Sequence, residues 1–287
     1  MQKIKIATDS TADIPANMRD QLGIEVLPLT IIHEGKEYKD GYDLTSEQFF
    51  NILDTSDEVP TSSCITPVLF TELYEKTYNE GYTDLILTLI NSKGSSTFQG
   101  ALMMRDAFYE DNPEAKDKLN IHLIDSRTYS LGYGWAVMEA AKMAAKGASV
   151  DEIKSVMQEW LDNVRPVFLP ANLKFVKKSG RISAAAAFVG DALGLKPVIT
   201  FENGESKILS KIRGEKKAIK EFVDIIEKER KPGTPYILIT SNNKEKCEQL
   251  HTACIERLGQ EPEFSTPVGC IISINTGPDF VGIIYRR

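Results

Sequence analysis

The chain alternates short β-branched, apolar runs with longer segments in which apolar residues recur every three or four positions. Residues 3–7, 24–29, 85–90 and 121–124 read as strands, and several are apolar at nearly every position, as strands of a parallel sheet are. The helices between them announce their starts. Thr45 followed by Gln48 makes a capping box ahead of Phe49, Phe50 and Leu53. Thr66 then Pro67 offers a cap with proline at the first helical position. Ser149 with Glu152 opens a helix carrying Ile153, Val156, Met157 and Trp160. Strands and helices alternating at these lengths predict a parallel sheet covered on both faces.

Near residue 165 the pattern changes. Pro166 and Pro170 end the helix begun at Ser149. Residues 197–201 and 206–212 flank Glu202-Asn203-Gly204, a hairpin signal. Helices are expected over 215–229 and 244–258, with strands over 236–240, 268–274 and 280–285. Hairpins mixed with helices predict an α+β lobe. The expected organisation is two lobes: an α/β lobe over 1–164 built on a parallel sheet, and a mixed or antiparallel α+β lobe over 165–287.

A length of 287 residues fits two lobes. Thirty-four Lys+Arg against 41 Asp+Glu leave a net charge of −7, which excludes a nucleic-acid binder working through an electropositive surface. No apolar run approaches the ~20 residues of a membrane span. The N-terminus reaches Asp9 after a few alternating residues, so no signal peptide is expected. Four cysteines, at 64, 247, 254 and 270, form no CxxC pair, and a reduced, cytoplasmic setting is the simplest expectation.

Four polar loops carry the candidate chemistry. Asp9-Ser10-Thr11-Ala12-Asp13 follows the first strand, where open α/β sheets place ligand loops. It could bind a metal or accept a phosphoryl group, or it could be a turn whose Asp and Ser satisfy backbone amides. Asn91-Ser92-Lys93-Gly94-Ser95-Ser96-Thr97 precedes a helix whose first N–H groups could hold an anion with the Ser95, Ser96 and Thr97 hydroxyls. Simple N-capping would need only one of them. Pro60-Thr61-Ser62-Ser63 is a further hydroxyl cluster, and Asp125-Ser126-Arg127 ends another strand before Ser130, Gly132 and Gly134. In a parallel sheet all four would converge on one carboxyl edge.

The three histidines share no spacing, and Cys247, His251 and Cys254 lie on a helical face with Leu250 and Leu258, so a core stripe is expected and no metal site. Basic islands surround Gly180 (Lys177, Lys178, Arg181) and Gly214 (Lys211, Arg213, Lys216, Lys217). They are solvated faces or a patch for an acidic partner.

In this order the motifs resemble the DegV family of bacterial fatty-acid-binding proteins. The resemblance runs through Asp9-Ser10-Thr11-Ala12-Asp13, Thr61-Ser62, Ser95-Ser96-Thr97-Phe98-Gln99 and Asp125-Ser126-Arg127 with Leu131-Gly132 and Gly134. It continues through residues 173–183 (LKFVKKSGRIS), Leu195-Lys196-Pro197, Arg213-Gly214 with Lys216-Lys217-Ala218, and Thr276-Gly277-Pro278 with Gly282. The resemblance implies a two-lobed fold with a tunnel between the lobes for one long-chain fatty acid. The acid is then presented to a separate fatty acid kinase, and the carrier supplies no catalytic step and needs no cofactor. Thr61, Ser62, Ser95, Ser96, Asn275 and Thr276 are the implied carboxylate-binding residues, supported by Asp9, Ser10, Asp125, Ser126 and Arg127. Arg213, Lys216 and Lys217 are the expected kinase-docking cations. A monomer is expected, and transient contact with a membrane surface stays open.

This chain departs from the family pattern at a few positions. Asn275 stands where the family commonly has His, Asp279 where it usually has Gly, and Cys64-Ile65 replaces a Pro-containing stretch. Two alternatives therefore stay open: a phosphotransferase or hydrolase for a small anionic ligand using Asp9, Asp13 and the Ser95 loop, and the same scaffold holding another amphiphile.

Overall fold

The computed structural model of the protein describes residues 2–188, 194–215 and 217–287. In chain order the strands are β1 (Ile4–Asp9), β2 (Glu25–Leu27), β3 (Thr30–His33), β4 (Lys36–Lys39), β5 (Thr61–Ser63), β6 (Asp84–Leu89), β7 (Asn120–Asp125), β8 (Val164–Pro170), β9 (Leu195–Glu202), β10 (Glu205–Arg213), β11 (Tyr236–Thr240), β12 (Phe264–Pro267) and β13 (Phe280–Arg286). The helices are α1 (Ala16–Leu22), α2 (Ser46–Thr55), α3 (Pro67–Asn79), α4 (Thr97–Asp111), α5 (Leu131–Ala145), α6 (Val150–Asn163), α7 (Lys174–Ser179), α8 (Ser183–Ala186), α9 (Ala218–Glu229), α10 (Lys244–Leu258) and α11 (Cys270–Thr276). Two compact units result. One comprises residues 1–32, 36–43 and 62–162, and the other 33–35, 44–61 and 163–287.

The first unit is built on a four-stranded sheet in the order β2-β1-β6-β7, parallel throughout. Ile6 lies beside Ile86, and Ile86 beside His122. All six residues of β6 are buried, Asp84 and Thr88 among them, which is why its sequence is mostly apolar and shows no alternation. The expected strand over 24–29 is shorter: β2 stops at Leu27, and Pro28 precedes β3, which pairs elsewhere, in a small sheet ordered β4-β3-β5. The β3–β4 connection turns on Glu34 (φ 49°) and Gly35 (φ 73°), the left-handed pair a two-residue hairpin requires. The Ser149–Glu152 box forms as expected: Glu152 N donates to Ser149 Oγ and Ser149 N to Glu152 Oε2. Thr66 makes no side-chain cap, so Pro67 alone marks the start of α3. On α6 Val156 turns outward, 42% exposed, while Ile153, Met157 and Trp160 are buried.

The second unit centres on a six-stranded mixed sheet ordered β10-β9-β8-β13-β11-β12. Only β11 and β12 are parallel among these pairings, and α10 connects them. The expected hairpin is β9–β10, turning on Asn203 (φ 50°) and Gly204 (φ 79°). Helix α2 belongs to this unit, its capping box formed by Thr45 and Gln48 and its Phe49, Phe50 and Leu53 buried.

One local expectation fails and another proves incomplete. Helix α6 ends at Asn163, just ahead of Pro166 as expected, but Pro166 and Pro170 then lie inside β8, an interior strand. Pairing of β8 with β13 runs its full length, but its ladder with β9 involves only Val167 and Phe168, so both prolines fall outside that short ladder. Residues 268–274 are not a strand. β12 ends at Pro267, Gly269 caps α11, and Cys270, Ile271 and Ile274 bury one face at helical spacing against α7 and α2. The short apolar run fits either element by itself, and packing chose.

Candidate functional site

The carboxyl ends of β1, β6 and β7 share one edge of the parallel sheet, so the loops 9–13, 90–97 and 125–130 meet there. The fourth expected loop does not join that edge from the same sheet. Thr61 and Ser62 are themselves strand, both exposed, in the small β4-β3-β5 sheet.

Asp9 is the hub of the edge and is fully buried. Its Oδ1 accepts from Thr11 N (2.9 Å), Thr11 Oγ1 (2.5 Å) and the Tyr133 hydroxyl (2.7 Å), and its Oδ2 accepts from Ile90 N (2.7 Å). Burial pushes its carboxyl above the ordinary value, against the downward pull of those hydrogen bonds. Ser10 Oγ accepts from Leu29 N (3.1 Å), tying the same loop to the segment after β2. Asp13, in the left-handed region at φ 53°, accepts from Ser130 Oγ at 2.5 Å. The turn reading of this motif is therefore the realised one: its side chains organise backbone.

The 125–130 loop does the same for its neighbour. Asp125 Oδ1 accepts from Ser92 N and Arg127 N (both 3.0 Å), and Oδ2 from Ser92 Oγ (2.5 Å). Ser126 is fully buried, donating to Thr128 O. Arg127 reaches away to Asp162, 2.6 Å. Asn91 donates from Nδ2 to the Tyr129 hydroxyl at 2.7 Å. Tyr129 fell outside the motifs read from pattern, although Gly94 hints at it: a Cβ there would run into the Tyr129 hydroxyl.

What this scaffold presents is the start of α4. Ser95 is half-buried and Ser96 exposed. Ser95 Oγ lies 2.9 Å from Thr97 Oγ1 and accepts from Thr97 N at 3.3 Å. The first amides of this 15-residue helix have no acceptor in their own helix and carry the positive end of its dipole. The edge can therefore offer neutral hydroxyl and amide donors to an anion without a buried cation.

Gly134 fixes how closely α5 approaches. A Cβ there would fall 2.2 Å from Ala12 O, a backbone atom. Alanine ordinarily gains about 1 kcal/mol over glycine inside a helix. Here Gly134→Ala is expected to reverse that sign and lose about 2 kcal/mol, read by urea denaturation. A stabilised variant would refute the close approach.

In the second unit, Asn275 donates from Nδ2 to Ile271 O (2.8 Å) and Thr276 from Oγ1 to Ile272 O (3.2 Å), back-bonding within α11. Asp279 pairs with Lys246 Nζ at 3.1 Å and accepts from Asn243, so its charge is locally balanced. Arg213 and Lys217 are exposed, and Lys216 lies outside the described residues. His33 ends β3, His122 bonds Asp84 at the amino edge of the parallel sheet, and His251 pairs with Glu261. No cluster of His, Cys, Asp and Glu able to hold a metal occurs among the described residues. No described helix is long and apolar enough to cross a membrane.

A family model described as "Uncharacterised protein, DegV family" matches residues 3–287. A DegV domain-containing protein of Caldanaerobacter subterraneus subsp. tengcongensis is 35% identical over 293 residues, covering 100% of both chains. Among solved structures, a DegV family protein of Thermus thermophilus described by its fatty acid binding is 27% identical with a TM-score of 0.87, covering 100% of both chains. A fatty-acid-binding DegV family protein of Streptococcus agalactiae is 26% identical with a TM-score of 0.87, covering 100% of this chain and 99% of its own. With the family model matched almost from end to end on a fold of the same architecture, this chain belongs to the DegV family.

Proposed function

We propose that the protein carries one long-chain fatty acid and presents its carboxylate to a separate fatty acid kinase, contributing no catalytic step itself. The observation that carries the reading is the Ser95–Ser96 start of α4, held in place by the Asp9 and Asp125 networks on a fold shared with relatives that bind fatty acids. The head group is assigned to Ser95 and Ser96, with Thr61 and Ser62 as further hydroxyl donors and Asn275 and Thr276 as the α11 contribution. Exposed Arg213 and Lys217 are the proposed kinase-facing cations, with Lys216 completing the set by sequence.

Energetics favour this division of labour. Burying a sixteen-carbon chain gives roughly 12 kcal/mol gross at about 0.8 kcal/mol per CH₂. Micromolar binding needs about 8 kcal/mol, so the chain supplies affinity while the head-group site orients. The rival reading, phosphoryl or hydrolytic chemistry at Asp9, is disfavoured because that carboxyl is enclosed and already accepts four donors.

Solvent extraction and mass spectrometry of the purified protein should yield near-stoichiometric fatty acid. Ser95→Ala should weaken fatty-acid affinity by about fivefold, the worth of one hydrogen bond, with the circular dichroism spectrum intact. A folded wild type without fatty acid would reject the carrier reading. Because Asn275 replaces the family's histidine and cannot titrate near neutrality, fatty-acid affinity should show no histidine-type step between about pH 5 and 8. An inflection there that disappears on mutating one of the three histidines would contradict this.

A further inference from the structure

The first unit carries a groove of about 320 Å³ along β2, the outer strand of the parallel sheet, lined by none of the residues of the 9–13, 90–97 and 125–130 loops. Val26, Leu27, Leu69 and Leu73 form its floor, contributed by β2 and one face of α3. Such a volume is in the range of small-molecule sites. Its wall is Tyr42, 52% exposed yet held at three points. The Tyr42 hydroxyl donates to Val26 O (2.8 Å), its amide donates to Lys39 O (3.2 Å), and the Arg19 guanidinium lies 4.9 Å from the ring centroid. A rigid, half-exposed aromatic beside an apolar floor is preorganised for stacking or apolar contact.

The charges around the groove divide into two kinds. Glu25 is occupied by Lys76 (2.9 Å) and Lys5 (3.2 Å). The side chains of Lys39 and Glu72, both exposed groove residues, have no ion pair or hydrogen bond among the described residues. The groove therefore offers one uncommitted cation, one uncommitted anion and an apolar floor. Because the Tyr42 hydroxyl already caps Val26 O, the strand edge is blunted against addition of an extended peptide. Complementarity favours a small zwitterion with an apolar side chain.

We propose that this groove is a binding site for a free α-amino acid with an aromatic or branched apolar side chain, its carboxylate on Lys39, its ammonium on Glu72 and its side chain against Tyr42. The site is separate from the fatty-acid reading and stands whether or not that reading holds.

The test is a ¹H–¹⁵N correlation titration of the full chain with L-phenylalanine up to ~10 mM, the weak range expected of so open a site. Saturable shifts confined to β2, the Lys39–Tyr42 turn and α3 are expected. Phenylalaninamide and N-acetylphenylalanine, each lacking one charge, should bind about threefold to fivefold more weakly, as should phenylalanine to Lys39→Gln and Glu72→Gln. No saturable shift, equal binding of all three probes, or binding unaffected by both substitutions would overturn the proposal. So would tighter binding of a phenylalanine-centred pentapeptide than of phenylalanine itself, which would make the groove a peptide site.

Discussion

Asp9→Ala is expected to lower stability by about 4 kcal/mol, among the largest effects of a single substitution in the first unit. The carboxyl is fully buried, and its removal strands the amides of Thr11 and Ile90, while the Thr11 and Tyr133 hydroxyls, 2.7 Å apart, can still bond each other. For a chain of this size that corresponds to a melting temperature lower by roughly 10 °C. Because Ile90 leads directly into the turn carrying Ser95, the variant should also lose bound fatty acid at temperatures where it remains folded. A variant within about 0.5 kcal/mol of wild type would show that the hub contributes nothing beyond ordinary surface polarity.

The same residue sets a pH dependence whose sign is unusual for an aspartate. Burial holds its carboxyl above the ordinary value of 3.8, so the native state keeps the proton at pH values where the unfolded chain has released it. Stability from this group is therefore present at low pH and declines as pH rises from about 3.8 to the folded value. Urea midpoints of wild type and Asp9→Asn, compared from about pH 4 upward, should show wild type losing ground to the variant. A difference moving the other way would mean that the four donors outweigh burial.

In the second unit the corresponding position is Arg165, 5% exposed at the start of β8. Its guanidinium bonds Glu202 on β9 and Glu229 on α9 (2.6 Å), and the Tyr285 hydroxyl of β13 also donates to Glu229 (2.9 Å). One side chain thus joins two strands and a helix, with a third strand tied through the shared carboxylate. Arg165→Ala should cost about 3 kcal/mol. It leaves two carboxylates short of a partner, though both keep some solvent and Glu202 retains Lys207. Arg165→Met combined with Glu202→Gln and Glu229→Gln should recover most of the loss, because the expense lies in the unpaired charges. Denaturation curves of the single and triple variants decide it: equal destabilisation of both would show that packing, not charge, is what Arg165 provides.

Much of the architecture was legible because its signals are local. The Thr45–Gln48 and Ser149–Glu152 boxes, the Asn203-Gly204 turn and the nearly apolar run of β6 each depend on a few adjacent residues, and each appears where it was expected. The Glu34-Gly35 hairpin could have been read the same way, since β-branched Thr30-Ile31-Ile32 leads into it, but its turn lacks the usual asparagine or aspartate. At the candidate site, the convergence of loops 9–13, 90–97 and 125–130 followed from strand direction alone. The networks within them did not, because Asp9 reaches Tyr133 and Asp125 reaches Ser92 across separations that no local pattern records.

Local signals settled where most strands and helices start and that the first sheet is parallel, because caps, turns and periodicity act over a few bonds; they placed three of the four hydroxyl loops at its carboxyl edge and misplaced Thr61-Ser62, which is strand in another sheet. Tertiary structure decided the rest. It made residues 270–276 a helix by packing Cys270, Ile271 and Ile274 against α7 and α2, and it admitted two prolines to an interior strand by shortening one ladder. It also turned Asp9 from a possible ligand into a buried strut. Each of these depends on which neighbours burial brings together, and burial is a property of the whole fold rather than of any segment.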